Sequence, residues 1–252
     1  MARNIARSLT QSDNMVSRSQ PPIQRHPTIS MMNTAISIAT LLQEIEAASS
    51  ASALADAVEA LALTGVPEAT TPLIAALGYN NPGAAVAAVD GLIRIGEAAV
   101  EPLLGLLDNF NYGARAWAIR ALAGIGDPRG LEVLLEAASE DFALSVRRAA
   151  ARGLGTIRWE RLSVEQRVEG QGRCLAVLLG CAQDPEWVVR YAAIAGVASL
   201  GLAIAAHPGS TQVQPQIISS VLERLEERRS KEGTLAVKAR ILWAQQQVQD
   251  LL

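Results

Sequence analysis

The chain has 252 residues, half of them hydrophobic, only 4% aromatic, and a net charge of -3. That composition supports a large core of aliphatic and alanine side chains, and it lacks the cationic excess that draws nucleic acid. No stretch reaches the roughly 18 uninterrupted apolar residues of a membrane span.

Residues 1–34 differ from the rest. They carry Arg3, Arg7, Arg18 and Arg25 against the single acid Asp13, among many Ser, Gln and Pro. Two readings stand first: a disordered tail, or an over-long start with the true one at Met31 or Met32. The Arg- and Ser-rich make-up also has the look of a transit peptide, although the apolar core of a secretory signal is missing.

From residue 35 to 205 the pattern predicts paired helices. The opening pair spans Ile36 to Ala48 and Ala51 to Leu63, and the next spans Glu68 to Leu77 and Gly83 to Ile95. Val86, Val89 and Ile93 fall at i, i+3 and i+7, which predicts one buried face. Gly96 and Gly126 stand where a C-terminal cap wants positive φ. Pro67, Pro102 and Pro128 stand near helix starts, where a missing N–H costs nothing. The polar, glycine-containing stretch Glu160 to Gly172 reads as an irregular insertion. A second irregular stretch runs from Ala206 to Pro215. Residues 206–252 then supply a charged helix, Gln216 to Glu232, and a closing helix, Thr234 to Leu252, of the same array. Cys174 and Cys181 lie about 10 Å apart along a helix, too far for a disulfide. No metal-ligand spacing accompanies them, so they read as reduced thiols of a cytosolic protein.

The pairs repeat. Gly83-Ala-Ala-Val-Ala-Ala-Val-Asp-Gly-Leu-Ile-Arg-Ile-Gly96 returns as Gly113-Ala-Arg-Ala-Trp-Ala-Ile-Arg-Ala-Leu-Ala-Gly-Ile-Gly126. Further copies begin at Ser145 and Trp187. Offsets of about 30 residues mark helical-pair repeats. The fold class expected is therefore all-α: an α-solenoid of stacked HEAT-like helical-pair repeats, whose function lies on an extended surface rather than in one deep pocket.

Stacking aligns equivalent positions into columns. One reads Leu54, Ala85, Arg115, Arg147, Arg190, and five residues on another reads Glu59, Asp90, Arg120, Arg152, Ala195. These arginines suit either an inter-repeat ladder of ion pairs or a basic groove for an acidic ligand. The scarce aromatics Tyr79, Phe110, Tyr112, Phe142 and Trp187 gather at the turns, with Trp117 and Tyr191 one helical turn further on. Asn80, Asn81, Asn109 and Asn111 share the turns, where Asn bonds its own backbone. Rings beside arginines fit a flat, conjugated carboxylate or a protein partner. There is no phosphate loop, zinc helix or nucleophile elbow. The only histidines, His26 and His207, stand in irregular segments, so a general acid in the repeats must be a carboxylate or Tyr.

Several runs carry a family resemblance. Leu77-Gly-Tyr-Asn-Asn-Pro-Gly-Ala-Ala-Val-Ala-Ala-Val-Asp-Gly-Leu-Ile93 resembles the F subunit of the E/F-type phycobilin lyases. So do Asn111-Tyr-Gly-Ala-Arg-Ala-Trp-Ala-Ile-Arg120 and Asp141-Phe-Ala-Leu-Ser-Val-Arg-Arg-Ala-Ala-Ala-Arg152. The resemblance covers residues 34–205, with weaker support beyond.

The resemblance implies a cytoplasmic cyanobacterial protein that works with an E subunit as a heterodimer. Such pairs attach a linear tetrapyrrole, typically phycocyanobilin, by a thioether to a cysteine of the phycocyanin α-subunit. The bilin is a substrate, and no permanently bound cofactor is implied. The Cys- and His-containing motif of the isomerising lyases is missing, which favours simple attachment. On this reading Arg115, Arg120, Arg147 or Arg152 takes the bilin propionates. Asp90 balances the pyrrole N–H groups as the catalytic carboxylate, and Tyr79, Tyr112 and Trp117, with Asn80 and Asn81, frame the ring system. Two alternatives stand beside it: a non-catalytic HEAT-like adaptor or chaperone for phycobilisome assembly, and a factor that removes the chromophore during degradation. Nucleic acid is the least suited ligand, because acids interrupt the arginine columns.

Overall fold

The computed structural model describes residues 37–107, 112–206 and 214–251. The readings of residues 1–34, and of Phe110, Asn109, Asn111 and His207, lie outside the described residues. Within them every regular element is a helix. The helices are α1 (Ile38–Ala47), α2 (Ala51–Thr64), α3 (Thr70–Ala76), α4 (Pro82–Ile95), α5 (Val100–Leu107) and α6 (Tyr112–Ile125). They continue as α7 (Leu131–Glu140), α8 (Leu144–Gly153), α9 (Val164–Cys181), α10 (Trp187–Ala206), α11 (Gln214–Lys231) and α12 (Leu235–Gln249).

Each odd-numbered helix packs antiparallel on the even-numbered helix after it. The even-numbered helices stack side by side as one layer, α2 on α4, α4 on α6, and so on to α12. Local chemistry sets the boundaries. Ser37, Ser50 and Asn81 cap α1, α2 and α4 by accepting a backbone N–H, which satisfies a donor the first turn leaves orphaned. Gly65, Gly96 and Gly126 end α2, α4 and α6 at φ of +62°, +74° and +66°, a conformation that costs other residues free energy.

The layer depends on small side chains. Position by position down the stack, one column reads Ala60, Gly91, Ala121, Gly153, Gly196, Ala244. A Cβ on Gly91 would come within 2.6 Å of the Ala62 Cβ, and one on Gly196 within 2.6 Å of the Ala151 carbonyl. The helices therefore approach to a separation that only glycine or alanine permits. Two hydrophobic clusters fill the space between the layers and meet at α6, where Ala118 and Leu122 belong to one and Ile119 and Ala123 to the other.

Two expectations change. Val86 is 44% exposed while Val89 is buried; the buried seam of α4 is Ala84, Ala85, Ala88, Val89, Gly91 and Leu92. Close packing, and not side-chain size, decides which face turns inward. Second, most of the expected insertion at 160–172 is helix. Only a short turn at Trp159–Arg161 precedes α9, which Ser163 and Gln166 open with a reciprocal capping box. Trp159 is buried and lies against Gly170, so the glycine makes room for the ring. Helix α10, interrupted by Arg190, is also long and apolar enough, by length and composition alone, to cross a membrane. Here it is a core helix, with Val189, Ala193, Ile194, Val197 and Leu200 all buried among its neighbours.

The glycine caps give a direct test. Both Gly96→Ala and Gly126→Ala are expected to lose about 1–3 kcal/mol to the left-handed backbone. A Cβ at Gly126 also overlaps the Thr156 carbonyl, whereas the space beside Gly96 is open. Urea unfolding should show Gly126→Ala as clearly the less stable variant.

Candidate functional site

The two arginine columns separate into different roles. The first is a ladder. Arg115 Nε donates to Asp141 Oδ2 at 3.2 Å. Arg147 grips Asp184 through Nε at 2.8 Å and Nη2 at 3.2 Å. Arg190 grips Glu232 through the same two nitrogens, both at 2.9 Å. In each case the acid stands in the turn before the next even-numbered helix, and a second role of its carboxylate repeats along the stack. Asp141 accepts the Ala143 N–H, Asp184 the Glu186 N–H and Glu232 the Thr234 N–H. One carboxylate thus shapes its own turn and is clamped from the preceding helix. The Nη1 of Arg147 and of Arg190 goes to two turn carbonyls each.

These contacts bear on the expected ligand set. Arg147 has its donors occupied by Asp184 and by the Asp141 and Phe142 carbonyls, and Arg115 holds Asp141. Arg147 presents no unengaged fork toward an incoming carboxylate, and Arg115 spends its Nε on Asp141. Asn81 is likewise structural: buried, it caps α4 and donates to the Ala51 carbonyl at 2.7 Å, tying α4 to α2.

The second column behaves differently. Glu59, Asp90, Arg120 and Arg152 are all exposed on the solvent side of the even-numbered layer. Among the described residues Arg152 has no hydrogen-bond or ion-pair partner in the structure, and neither has Asp90. The Arg120 guanidinium lies over the Trp117 ring, 5.1 Å from its centroid, a contact that fixes its plane without occupying its outer donors. Neighbouring helices in such a layer are about 8–10 Å apart, so Asp90, Arg120 and Arg152 stand in a row at that spacing. Tyr79 and Asn80 are exposed at the turn before α4. Tyr112 opens α6, but its side chain is outside the described residues. Sequence reasoning passed over Arg148, exposed one turn from Arg152. Its place in the column after Arg147 was the available signal.

A second cluster lies on α10 and α12. The Arg240 guanidinium is 4.1 Å from the Trp243 ring centroid and 5.6 Å from that of Tyr191. A cleft of about 90 Å³ between α9, α10 and α11, lined in part by Gln183, Arg224 and Lys231, holds none of the expected site residues. Both thiols are buried, and burial pushes Cys174 up to about 12 and Cys181 up to about 11. A thiol so hard to ionise is a poor nucleophile, and Cys181 Sγ donates to the Ala138 carbonyl.

Known proteins give the chain a family. HEAT repeats match residues 100–198. The phycocyanobilin lyase subunit beta of Pseudanabaena tenuis (strain PCC 7409) is 50% identical over 213 residues, covering 84% of this chain and 73% of that protein. This chain belongs to the phycocyanobilin lyase beta-subunit, or CpcF, family. Another member, the phycocyanin alpha phycocyanobilin lyase CpcF of Synechocystis sp. (strain ATCC 27184 / PCC 6803 / Kazusa), is 58% identical over 163 residues, 65% of this chain and 76% of that one. The solved complex of CpcE and CpcF of phycocyanin lyase from Nostoc sp. PCC7120 contains a chain 46% identical to this one. It superposes with a TM-score of 0.60 over 71% of this chain and 98% of that one. The CpcF-family resemblance expected from Leu77 to Ile93 and from Asn111 to Arg120 is thereby borne out.

The ladder predicts an acid response. Hydrogen bonds from Arg190, aided by the Thr234 N–H and Arg228, hold the Glu232 carboxyl far below its usual range. Burial opposes ionisation of Asp184, but Arg147 and the Glu186 N–H outweigh it and leave that group lowered too. A depressed folded pKa stabilises above the unfolded value, near 4 to 4.5, and that stability drains as pH falls toward the folded value. Stability should therefore decline below about pH 4.5. Glu232→Gln should lose about 2 kcal/mol at pH 7 and show a shallower acid limb in urea titrations run from pH 7 to 3.

Proposed function

We propose that this chain is the F-type subunit of a heterodimeric bilin lyase, acting with an E-type subunit to attach phycocyanobilin to a cysteine of the phycocyanin α-subunit. The observation that carries the site is the sorting of its arginines. Arg115, Arg147 and Arg190 are committed to the ladder. Arg120, Arg148 and Arg152 remain exposed on adjacent helices beside Asp90 and Trp117.

Attachment is an addition. The acceptor thiolate forms a C–S bond to the ethylidene carbon of the bilin, the thiol proton ends on the ring, and nothing leaves. The protein has no covalent chemistry to perform and needs only to hold one conformer and one face toward the thiol, which is worth several orders of magnitude in rate. A bilin offers two propionates and a conjugated plane. Arg120 and Arg152 take the propionates as charge-assisted hydrogen bonds, with Arg148 adjoining. Trp117 keeps Arg120 in plane, and Tyr79 and Asn80 border the ring system at the layer's edge. Asp90, one helix along from Arg120, faces the pyrrole N–H groups and favours their protonated form, which makes the ethylidene carbon a better electrophile. Arg115, Arg147 and Asn81 support this surface as structural residues. Cys174 and Cys181 take no part. The bilin is substrate, and a cytoplasmic location is part of the same proposal, supported by two free, buried thiols.

Co-expression of this chain with an E-type subunit, phycocyanobilin synthesis and apo phycocyanin α-subunit tests the reading. Bilin that stays with the α-subunit on denaturing gels only when both lyase chains are present is the expected result. Arg120→Ala and Arg152→Ala should each lower the attachment rate by about 10- to 100-fold, the worth of one charged hydrogen bond. Asp90→Asn should slow attachment without loss of bilin binding, and Cys174→Ala should leave the rate intact. An unchanged rate in Arg120→Ala/Arg152→Ala would remove the assigned site, and no adduct in the full wild-type mixture would remove the lyase reading.

A further inference from the structure

We infer that the outward face of α12, anchored by a guanidinium held between two aromatic rings, is the surface on which the E-type partner subunit docks. The inference rests on the functional reading above.

Helix α12 buries Val237, Ile241, Ala244 and Val248, spaced four, three and four residues apart as one helical face. Its other side carries Leu235, Ala239 and Leu242, again four and three apart. Leu235 is 80% exposed and Leu242 is 52% exposed. The comparison with α10 shows what this means. Ile194 holds the position of Leu242 one repeat earlier and is fully buried. Among the described residues no helix covers Leu242. A position that the repeat pattern reserves for packing is thus dressed for burial and left bare.

Trp243 borders this stripe, and Arg240 lies beyond it, on the side of α12 nearer α10. Trp243 and Tyr191 hold its guanidinium, and both rings keep part of their surface in solvent. Its Nε is buried without an acceptor. Among the described residues no carboxylate pairs with it. The nearest acids in sequence are engaged elsewhere: Glu232 by Arg190 and Arg228, and Asp250 by Gln246. A stacked, planar, unpaired guanidinium is already ordered for a bidentate contact with a carboxylate. Trp, Tyr and Arg are also the residues that dominate binding energy at protein interfaces.

The occupant follows from charge and permanence. The surface is apolar and cationic, so its complement is a protein face that sets an Asp or Glu among apolar side chains. Residues 1–34 are themselves arginine-rich and repel it. A second copy in a two-fold contact brings the same patch, and α12 has no carboxylate to offer Arg240. An apolar stripe of this kind calls for a lasting partner rather than a passing acceptor. A stable E-type subunit is such a partner.

The test is affinity between the purified full chain and a CpcE-type subunit, measured by isothermal titration calorimetry and size exclusion. Trp243→Ala, Arg240→Ala and Leu242→Asp should each weaken the complex by about 30-fold or more. Arg240→Lys should not rescue it, since an ammonium cannot reproduce the fork. Leu63→Ala, exposed on α2, should leave affinity unchanged. Unaltered melting by circular dichroism establishes that the variants fold. Full-strength binding in all three variants overturns the inference alone and leaves the lyase reading standing. A wild-type homodimer dispersed by Leu242→Asp, or tighter partner binding after deletion of residues 1–34, reassigns the face and overturns it as well. No complex with the wild-type chain overturns both the inference and the reading beneath it.

Discussion

Everything in this fold depends on how closely the even-numbered helices approach. The column Ala60, Gly91, Ala121, Gly153, Gly196, Ala244 removes side-chain bulk from each contact in turn. Dispersion gains are steep in separation, so tight stacking compensates for a core with few aromatic rings. It also explains the composition: an alanine-rich chain is what such contacts permit, and alanine favours the helix as well. The column has a further consequence. Its immediate neighbour in sequence, one residue earlier, cannot also point into the contact. That neighbour is the series Glu59, Asp90, Arg120, Arg152, which the packing therefore turns to solvent.

The arginine–carboxylate ladder completes the frame. Small residues set the distance between helices but leave their turns unfastened. Asp141, Asp184 and Glu232 each accept from a backbone N–H in their own turn and from an arginine of the previous helix. Truncating one partner would strand a charge in a shielded place, so the array is held in register by interactions that are costly to break singly. In the first repeats Leu54 and Ala85 take the place of arginine. There Asn81 does the fastening by reaching the Ala51 carbonyl. The framework and the exposed row proposed to face the ligand are thus made of the same residue type with different neighbours.

That is why the fold was legible in the sequence and the site only half so. The repeat, the helix pairs and the two arginine columns follow from spacing, and the glycine caps follow from position. The division of labour between the columns does not. Arg115 reaches an acid 26 residues away, Arg147 one 37 away and Arg190 one 42 away. No constant offset marks these pairs, because the turns and the α9 extension vary in length. Val86 misled for a related reason: in an alanine-rich helix the largest apolar residue need not mark the buried face. Glu160 to Gly172 looked irregular because polarity and Gly170 outweighed the capping box at Ser163. Trp159, which accepts that glycine, is distant in the helix pattern but adjacent in space.

Along the solvent side of the layer the chemistry changes in one direction. Acids stand on α2 and α4, arginines on α6 and α8, and rings with Arg240 on α10 and α12. A solenoid has no single pocket in which to gather unlike groups, and each repeat contributes only a few side chains to the surface. Unlike functions must therefore lie at different repeats, and the stiffness of the stack fixes the distance between them. A bilin held at Arg120 and Arg152 and a partner seated on α12 would be separated by the width of one repeat, that of α10. Tyr191 projects from that repeat and touches Arg240. The partner would then sit beside the ligand and not across from it, close enough for its own side chains to complete a site that three exposed arginines leave open to water. On the proposed reading, an open array makes the second subunit part of the site's wall, which is a physical reason for attachment to need two chains.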